Sequence, residues 1–217
     1  MQVLLRNASL LFGVIYFIAA GHPFPGSVAV KGLSIALLAV LALVRGFPLL
    51  ALALTVSSFG DVLLDLDPKG LFVAGLSAFL AAHIIYTVLF VRAWSRFRWA
   101  VIPVLLYAAG FSIWLAPRLG PLTVPVSLYI FVITAMSSAA ICSRFPLWVP
   151  IGAVLFLASD SLLATAKFAG TFPLRDYLVW GTYYAAQFSI AAGVLLSASL
   201  TDNKPHNAAR VRSVGRS

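Results

Sequence analysis

Apolar residues run along this chain in eight nearly unbroken stretches, at residues 3–20, 28–44, 47–64, 70–91, 99–116, 121–142, 147–166 and 176–199. Each approaches the ~20 residues that a helix needs to cross the hydrocarbon core of a bilayer. The stretches are continuously apolar and do not alternate, which excludes a transmembrane β-barrel. Turn-forming residues separate them, among them Gly21-His22-Pro23, Gly46-Phe47-Pro48, Asp67-Pro68-Lys69-Gly70, the Pro117 to Pro121 segment and Gly170 to Pro173. The pattern predicts an all-α integral membrane protein with eight transmembrane helices in a single domain, residues 1–200. A polar, basic segment follows at 201–217 and is expected to be a disordered cytoplasmic tail drawn to anionic headgroups.

Composition removes the soluble alternative. Of 217 residues, 62% are hydrophobic and 10% charged, with a mean hydropathy of +1.02. A soluble domain is roughly half apolar and a quarter charged. Fifteen Lys and Arg against six acidic residues give a net charge of +9. The basic residues stand singly between apolar runs, so they read as topology signals and not as a nucleic-acid surface. Ten of them (Arg6, Arg45, Arg92, Arg96, Arg98, Arg144, Lys204, Arg210, Arg212 and Arg216) fall on the side of the termini and five on the other. Both termini are therefore expected in the cytoplasm, in a multi-pass protein of a bacterial-type inner (plasma) membrane. The lone Cys142 excludes an internal disulfide and any cysteine-rich metal site. Oligomeric state is not legible.

The informative positions are polar residues that the bilayer should have expelled. A charge at the centre of a membrane helix costs about 2.5–3.5 kcal/mol on insertion scales, so each one is retained for a pair or for function. The candidates are Lys31, Asp61, Asp65, His83, Asp160 and Lys167, with Tyr86, Tyr129, Tyr183, Tyr184 and Gln187 as weaker members. Ser57, Asp61 and Asp65 lie four apart and share one helix face; His83, Tyr86 and Thr87 repeat the pattern in the fourth helix, and Tyr183, Tyr184 and Gln187 in the eighth. With the termini inside, Lys31, Asp61 and Asp160 lie in the outer half of the membrane, with His83 and Gln187 near the midplane, so the group is expected to share one cavity. Structural readings compete. Asp65 lies far enough out to belong to a wet helix end, Asp160 would pair with Lys31 or Lys167, Lys31 would snorkel to the interface, and His83 would be a hydrogen-bonded core residue.

Two short matches skip four helices: Gly60-Asp61-Val62-Leu63-Leu64 with Ser159-Asp160-Ser161-Leu162-Leu163, and Ala81-Ala82-His83 with Ala185-Ala186-Gln187. Because four is even, two four-helix halves would keep one orientation, as parallel repeats do. Asp61 and Asp160 would then face each other across a central cavity. Metal chemistry finds little support, since hydrolytic zinc takes three protein ligands and only His83 of the three His is intramembrane. No phosphate loop and no Gly-x-Ser-x-Gly turn occurs. What remains is a carboxylate pair beside a His and a Lys, suited either to acid and base chemistry on a lipid or to proton-coupled transport of a lipid or amine. A structural or receptor role is a third reading.

Ser57-Ser58-Phe59-Gly60-Asp61-Val62-Leu63-Leu64, Gly75 with Phe79-x-x-x-His83-x-x-Tyr86, Gly152-Ala153-x-Leu155-Phe156-x-x-Ser159-Asp160-Ser161, and Tyr184-x-x-Gln187 together resemble the motifs of the YhhN-like lysoplasmalogenase family. Lys31 also matches a family Lys-Pro, with Gly32 in place of the Pro. The resemblance implies hydrolysis of the sn-1 vinyl ether of a lysoplasmalogen, giving a fatty aldehyde and a glycerophospho-base without a cofactor. Its partners would be a lysophospholipid substrate and the surrounding membrane lipids. Protonation of the enol ether creates an oxocarbenium ion that water captures, which requires one neutral carboxylic acid and one carboxylate; two close buried carboxylates divide such roles. Asp61 and Asp160 are the expected catalytic pair, in either order. His83 would shuttle the proton, Lys31 would hold one Asp ionised or meet the lipid phosphate, and Tyr86, Tyr129, Tyr184 and Gln187 would contact water and substrate.

Overall fold

The computed structural model describes residues 1–202 apart from Pro23, with side chains as far as Ser197; the 201–217 tail otherwise lies outside the described residues. Each apolar stretch forms one helix: α1 Gln2–Ile18, α2 Ser27–Val44, α3 Pro48–Leu66, α4 Phe72–Arg92, α5 Val101–Leu115, α6 Thr123–Cys142, α7 Trp148–Phe168 and α8 Arg175–Asp202. No strand occurs among the described residues beyond a single bridge between Trp94 and Ser143.

Local chemistry sets the ends. Pro48 opens α3 at its first position, where its missing N–H would have had no helical partner. Gly26, Gly46 and Gly170 take left-handed backbone at φ 92°, 79° and 120°, which a Cβ would oppose. Pro117 and Pro121 break the run after α5 into two tight 3₁₀ turns, since Pro removes a backbone donor. Among the described residues six segments are long and apolar enough to cross a bilayer, one of them being α5 extended through the following turn to Arg118, and α1 is a shorter apolar helix of 17 residues.

The bundle is built from tight hairpins. In the first half α1 packs on α2, α2 on α3 and α3 on α4; α7 and α8 form the tightest pair of all. Between the halves α4 packs on α6, with a smaller contact of α8 on α2; α6 and α7 share a smaller contact than α2 and α3 and diverge toward the cavity, and α5 reaches both. Small residues permit the close approaches, as is usual where membrane helices meet. A Cβ on Gly152 of α7 would come within 2.8 Å of the Ala186 carbonyl oxygen of α8, a backbone atom that cannot swing aside. Divergence of α6 from α7, against the tightness of α2 on α3, leaves a cavity on the side of the bundle opposite the termini.

Candidate functional site

A cavity of about 700 Å³ opens among the ends of α1, α2, α3, α7 and α8 and extends between α6 and α7 under α5. Three zones succeed one another in it. Lys69, Lys167, Arg175 and Asp176 stand at the rim, Lys31, Asp61, Asp65 and Asp160 lie within, and apolar side chains of α4 to α7 close the remainder.

On α3, the four-residue spacing of Asp61 and Asp65 turns both carboxylates toward Lys31 of α2. Lys31 Nζ donates to Asp65 Oδ1 at 2.7 Å and lies 3.7 Å from Asp61 Oδ1. The ammonium also rests 5.4 Å from the Tyr16 ring centroid and 5.7 Å from that of Trp180, within cation–π range. Tyr16 completes the first cluster by donating its hydroxyl to Asp65 Oδ2 at 2.7 Å.

Behind Asp61 a hydrogen-bonded chain runs into the core. Tyr183 OH donates to Asp61 Oδ2 at 2.6 Å, Gln187 Nε2 donates to Tyr183 OH at 3.1 Å, and Tyr86 OH donates to Gln187 Oε1 at 2.6 Å. Every proton points toward Asp61, and all four residues are buried. Asp160 has different company. Tyr129 OH donates to its Oδ2 at 2.5 Å, and His83 Nε2 stands 3.8 Å from the same oxygen without making a hydrogen bond. His83 is fully buried, edge-on to Tyr129 and Phe156 with ring centroids at 5.2 and 4.6 Å. Among the described residues no Lys or Arg nitrogen lies within ion-pair distance of Asp160. Ser57 Oγ, one turn below Asp61, is also buried without a partner.

The structure thus brings Lys31, Asp61, Tyr129 and Asp160 to one cavity wall, with His83 directly behind Asp160. Other expected positions differ. Asp65 is not a wet helix end but the nearest partner of Lys31, and Lys31 turns inward to it instead of snorkelling outward. Asp160 pairs with neither lysine, because Lys167 Nζ donates to the Pro68 carbonyl at 3.1 Å and lies 4.3 Å over the Phe72 ring. Tyr86 and Gln187, expected to contact substrate, form a second layer beneath Tyr183 and do not line the cavity. Tyr184 is farther removed, its hydroxyl 2.8 Å from Ser9 Oγ and its ring packed on Gly13. Adjacent helical residues project about 100° apart, so only one of the two tyrosines can face Asp61, and it is Tyr183. Tyr16 was missed because an aromatic near a helix end reads as an interfacial anchor; the i, i+4 spacing of Tyr183 and Gln187 was the available signal for Tyr183. Among the described residues no three His, Cys, Asp or Glu converge as a metal site would require.

A bundle of long apolar helices enclosing carboxylates at membrane depth defines a multi-pass membrane protein with an ionisable internal cavity. The model of the YhhN family matches residues 26–194, and the chain belongs to that family. A Mycobacterium bovis protein named lysoplasmalogenase is 36% identical over 161 residues, covering 70% of this chain and 62% of its own. Bovine lysoplasmalogenase TMEM86A is 30% identical over 154 residues, covering 66% of this chain and 64% of its own. Human lysoplasmalogenase TMEM86B is 32% identical over 148 residues, covering 67% and 62%. The chain thus spans just under two thirds of the length of the curated relatives it matches. No solved structure matches it.

Proposed function

We propose that the protein hydrolyses the sn-1 vinyl ether of a lysoplasmalogen inside the membrane, releasing a fatty aldehyde and a glycerophospho-base. The observation that carries this reading is the polarity order of the cavity, from charged rim through carboxylates to apolar wall. A single-chain phospholipid has the same order of headgroup, ether linkage and hydrocarbon. The names of the relatives favour hydrolysis over the transport alternative.

The surroundings of the two carboxylates divide their roles. Asp61 receives a hydrogen bond from Tyr183 and the charge of Lys31, so it is the carboxylate that steadies the cation and takes a proton from water. Asp160 has a hydroxyl donor and, among the described residues, no Lys or Arg within ion-pair distance, so it is the acid. Asp160 gives its proton to the vinyl carbon distal to the ether oxygen, and the other vinyl carbon becomes part of an oxocarbenium ion. Water adds there, Asp61 receives the proton, and the hemiacetal collapses to aldehyde with the glycerol hydroxyl leaving. One water is consumed. The proton held by Asp61 then returns to Asp160 by relay through His83, which takes one proton as it gives one up, and the pair is reset. General acid–base assistance of this type contributes about 10²–10⁴-fold to rate.

The reading includes all eight helices as membrane spans, the termini in the cytoplasm and the rim facing the opposite side of a bacterial-type inner membrane. It includes a parallel repeat of α1–α4 and α5–α8, in which α4 on α6 and the smaller contact of α8 on α2 are the corresponding contacts. The deciding experiment incubates purified protein with vinyl-ether lysophospholipid and scores long-chain aldehyde by mass spectrometry. Aldehyde from wild type but not from Asp160→Asn supports the assignment; intact substrate with folded wild type removes it. A transporter would deliver its lipid unchanged.

A further inference from the structure

The part of the cavity that the carboxylate chemistry does not use lies between α6 and α7, under α5. Ala108 and Phe111 of α5, Ile130 and Ile133 of α6, and Leu157 and Ala164 of α7 line it, and none carries a charge. It is continuous with the space in front of Asp160, since Tyr129 and Asp160 belong to the same cavity. Ile133 is the deepest of these positions on α6, ten residues beyond Thr123 where that helix begins. At about 1.5 Å per residue the lobe reaches ~15 Å inward, half the ~30 Å hydrocarbon core and so the span of one lipid chain. Tyr107 of α5 lines the same cavity and is 47% exposed.

Building on the hydrolase reading, we propose that this lobe between α6 and α7 holds the single alkyl chain of the substrate, and that Ile133 and Leu157 at its inner end set the chain length it accepts. Ile133 lies one helical turn deeper than Tyr129, the partner of Asp160, and Leu157 lies three residues deeper than Asp160 on α7. Both line the cavity, so enlarging either shortens the lobe from its closed end. The headgroup stays at the charged rim.

Each buried methylene contributes about fourfold to affinity. Affinity therefore climbs by that factor per carbon until the lobe is full, and carbons beyond that length add nothing. The probe is a series of saturated 1-O-alkyl lysophosphocholines, from eight to eighteen carbons, displacing a radiolabelled hexadecyl congener from detergent-purified protein. The saturated ether resists hydrolysis, so binding is read apart from turnover. Leu157→Phe and Ile133→Phe are each expected to lower the ratio of long-chain to short-chain affinity at least tenfold and to bring the plateau to shorter chains. A melting transition within a few degrees of wild type shows that each variant is folded. An unchanged chain profile in both folded variants, or a loss equal at every chain length, overturns the assignment. Wild type that binds the series with the expected profile but frees no aldehyde from the vinyl ether would instead defeat the hydrolase reading and leave the lobe standing.

Discussion

One helical turn beyond Asp61 on α3 stands Asp65; one turn beyond Asp160 on α7 stands Ala164. The surroundings of the two positions differ accordingly. In the first half, Asp65 draws Lys31 and Tyr16 into a bonded cluster, and α2 lies close against α3. On α7 a methyl group occupies the corresponding turn, α6 meets α7 less extensively than α2 meets α3, and the cavity lobe between α6 and α7 is hydrocarbon-lined. One helical scaffold thus gives a charged wall where ions are tied together and an apolar recess where they are absent. A lysolipid needs both: charge to steady a cation at its ether carbon and a dry slot for its chain.

The comparison breaks most severely at the carboxylates. Asp160→Asn and Asp61→Asn are each expected to lower kcat for vinyl ether hydrolysis by about 10²–10⁴-fold, measured as aldehyde released per folded protein. Full turnover in both variants would leave the two turns merely structural. Next in size is Lys31→Met, which strands Asp61 and Asp65 together without their shared cation. Removing one partner from a buried ion pair costs about 3–5 kcal/mol, and thermal unfolding in detergent should show it. Adding Asp65→Leu to that variant should recover much of the loss, because the first half then resembles the second; equal or worse stability would show that Lys31 serves Asp61 alone.

A smaller effect is expected from Tyr86→Phe, which leaves Gln187 Oε1 buried without its donor. Such an orphaned acceptor costs about 1–3 kcal/mol, and freeing the amide to rotate should also weaken the alignment of Tyr183 on Asp61, lowering kcat more than it alters KM. A stability loss with no change in kcat would restrict the chain to packing. The least effect concerns the loops. Asp67 Oδ1 accepts from the amides of Lys69 and Gly70 at 3.0 and 2.8 Å, and these bonds hold the exposed carboxyl below the usual carboxylate range. Its folded value being the lower one, the bonds contribute fully above the ordinary carboxylate pKa and are lost as pH falls through the lowered value. Protection of the Lys69 and Gly70 amides from exchange, relative to the intrinsic rate at each pH, should therefore fall in acid, and Asp67→Ala should abolish that dependence. The α7–α8 loop, with Gly170 at φ 120° and Leu174 at φ 60°, has no such carboxylate and should show no matching change.

Much of this arrangement was legible before any coordinates. Eight apolar stretches became eight helices because hydropathy acts along the chain and needs no partner to be read. Lys31, Asp61, His83 and Asp160 stood out because intramembrane charge is expensive wherever it occurs. Asp65 was harder, since depth along a helix alone makes it a wet end, and only the arrival of Lys31 and Tyr16 from other helices draws it inward. The neighbouring tyrosines of α8 were indistinguishable for a similar reason. Their spacing to Gln187 differs by one residue, and the choice between them depends on how α8 is rotated against α1 and α3.

The sequence by itself determined the membrane class, the helix count and the short set of ionisable residues, because each follows from the transfer energy of residues near one another in the chain. Only the tertiary structure decided which carboxylate has a lysine, which tyrosine bonds Asp61, and that α6 and α7 part to leave an apolar lobe. Those outcomes depend on side chains 34 and 122 positions apart, as in Lys31 with Asp65 and Tyr183 with Asp61. Pairing at that range is set by helix rotation and packing in three dimensions, to which a local pattern along the chain has no access.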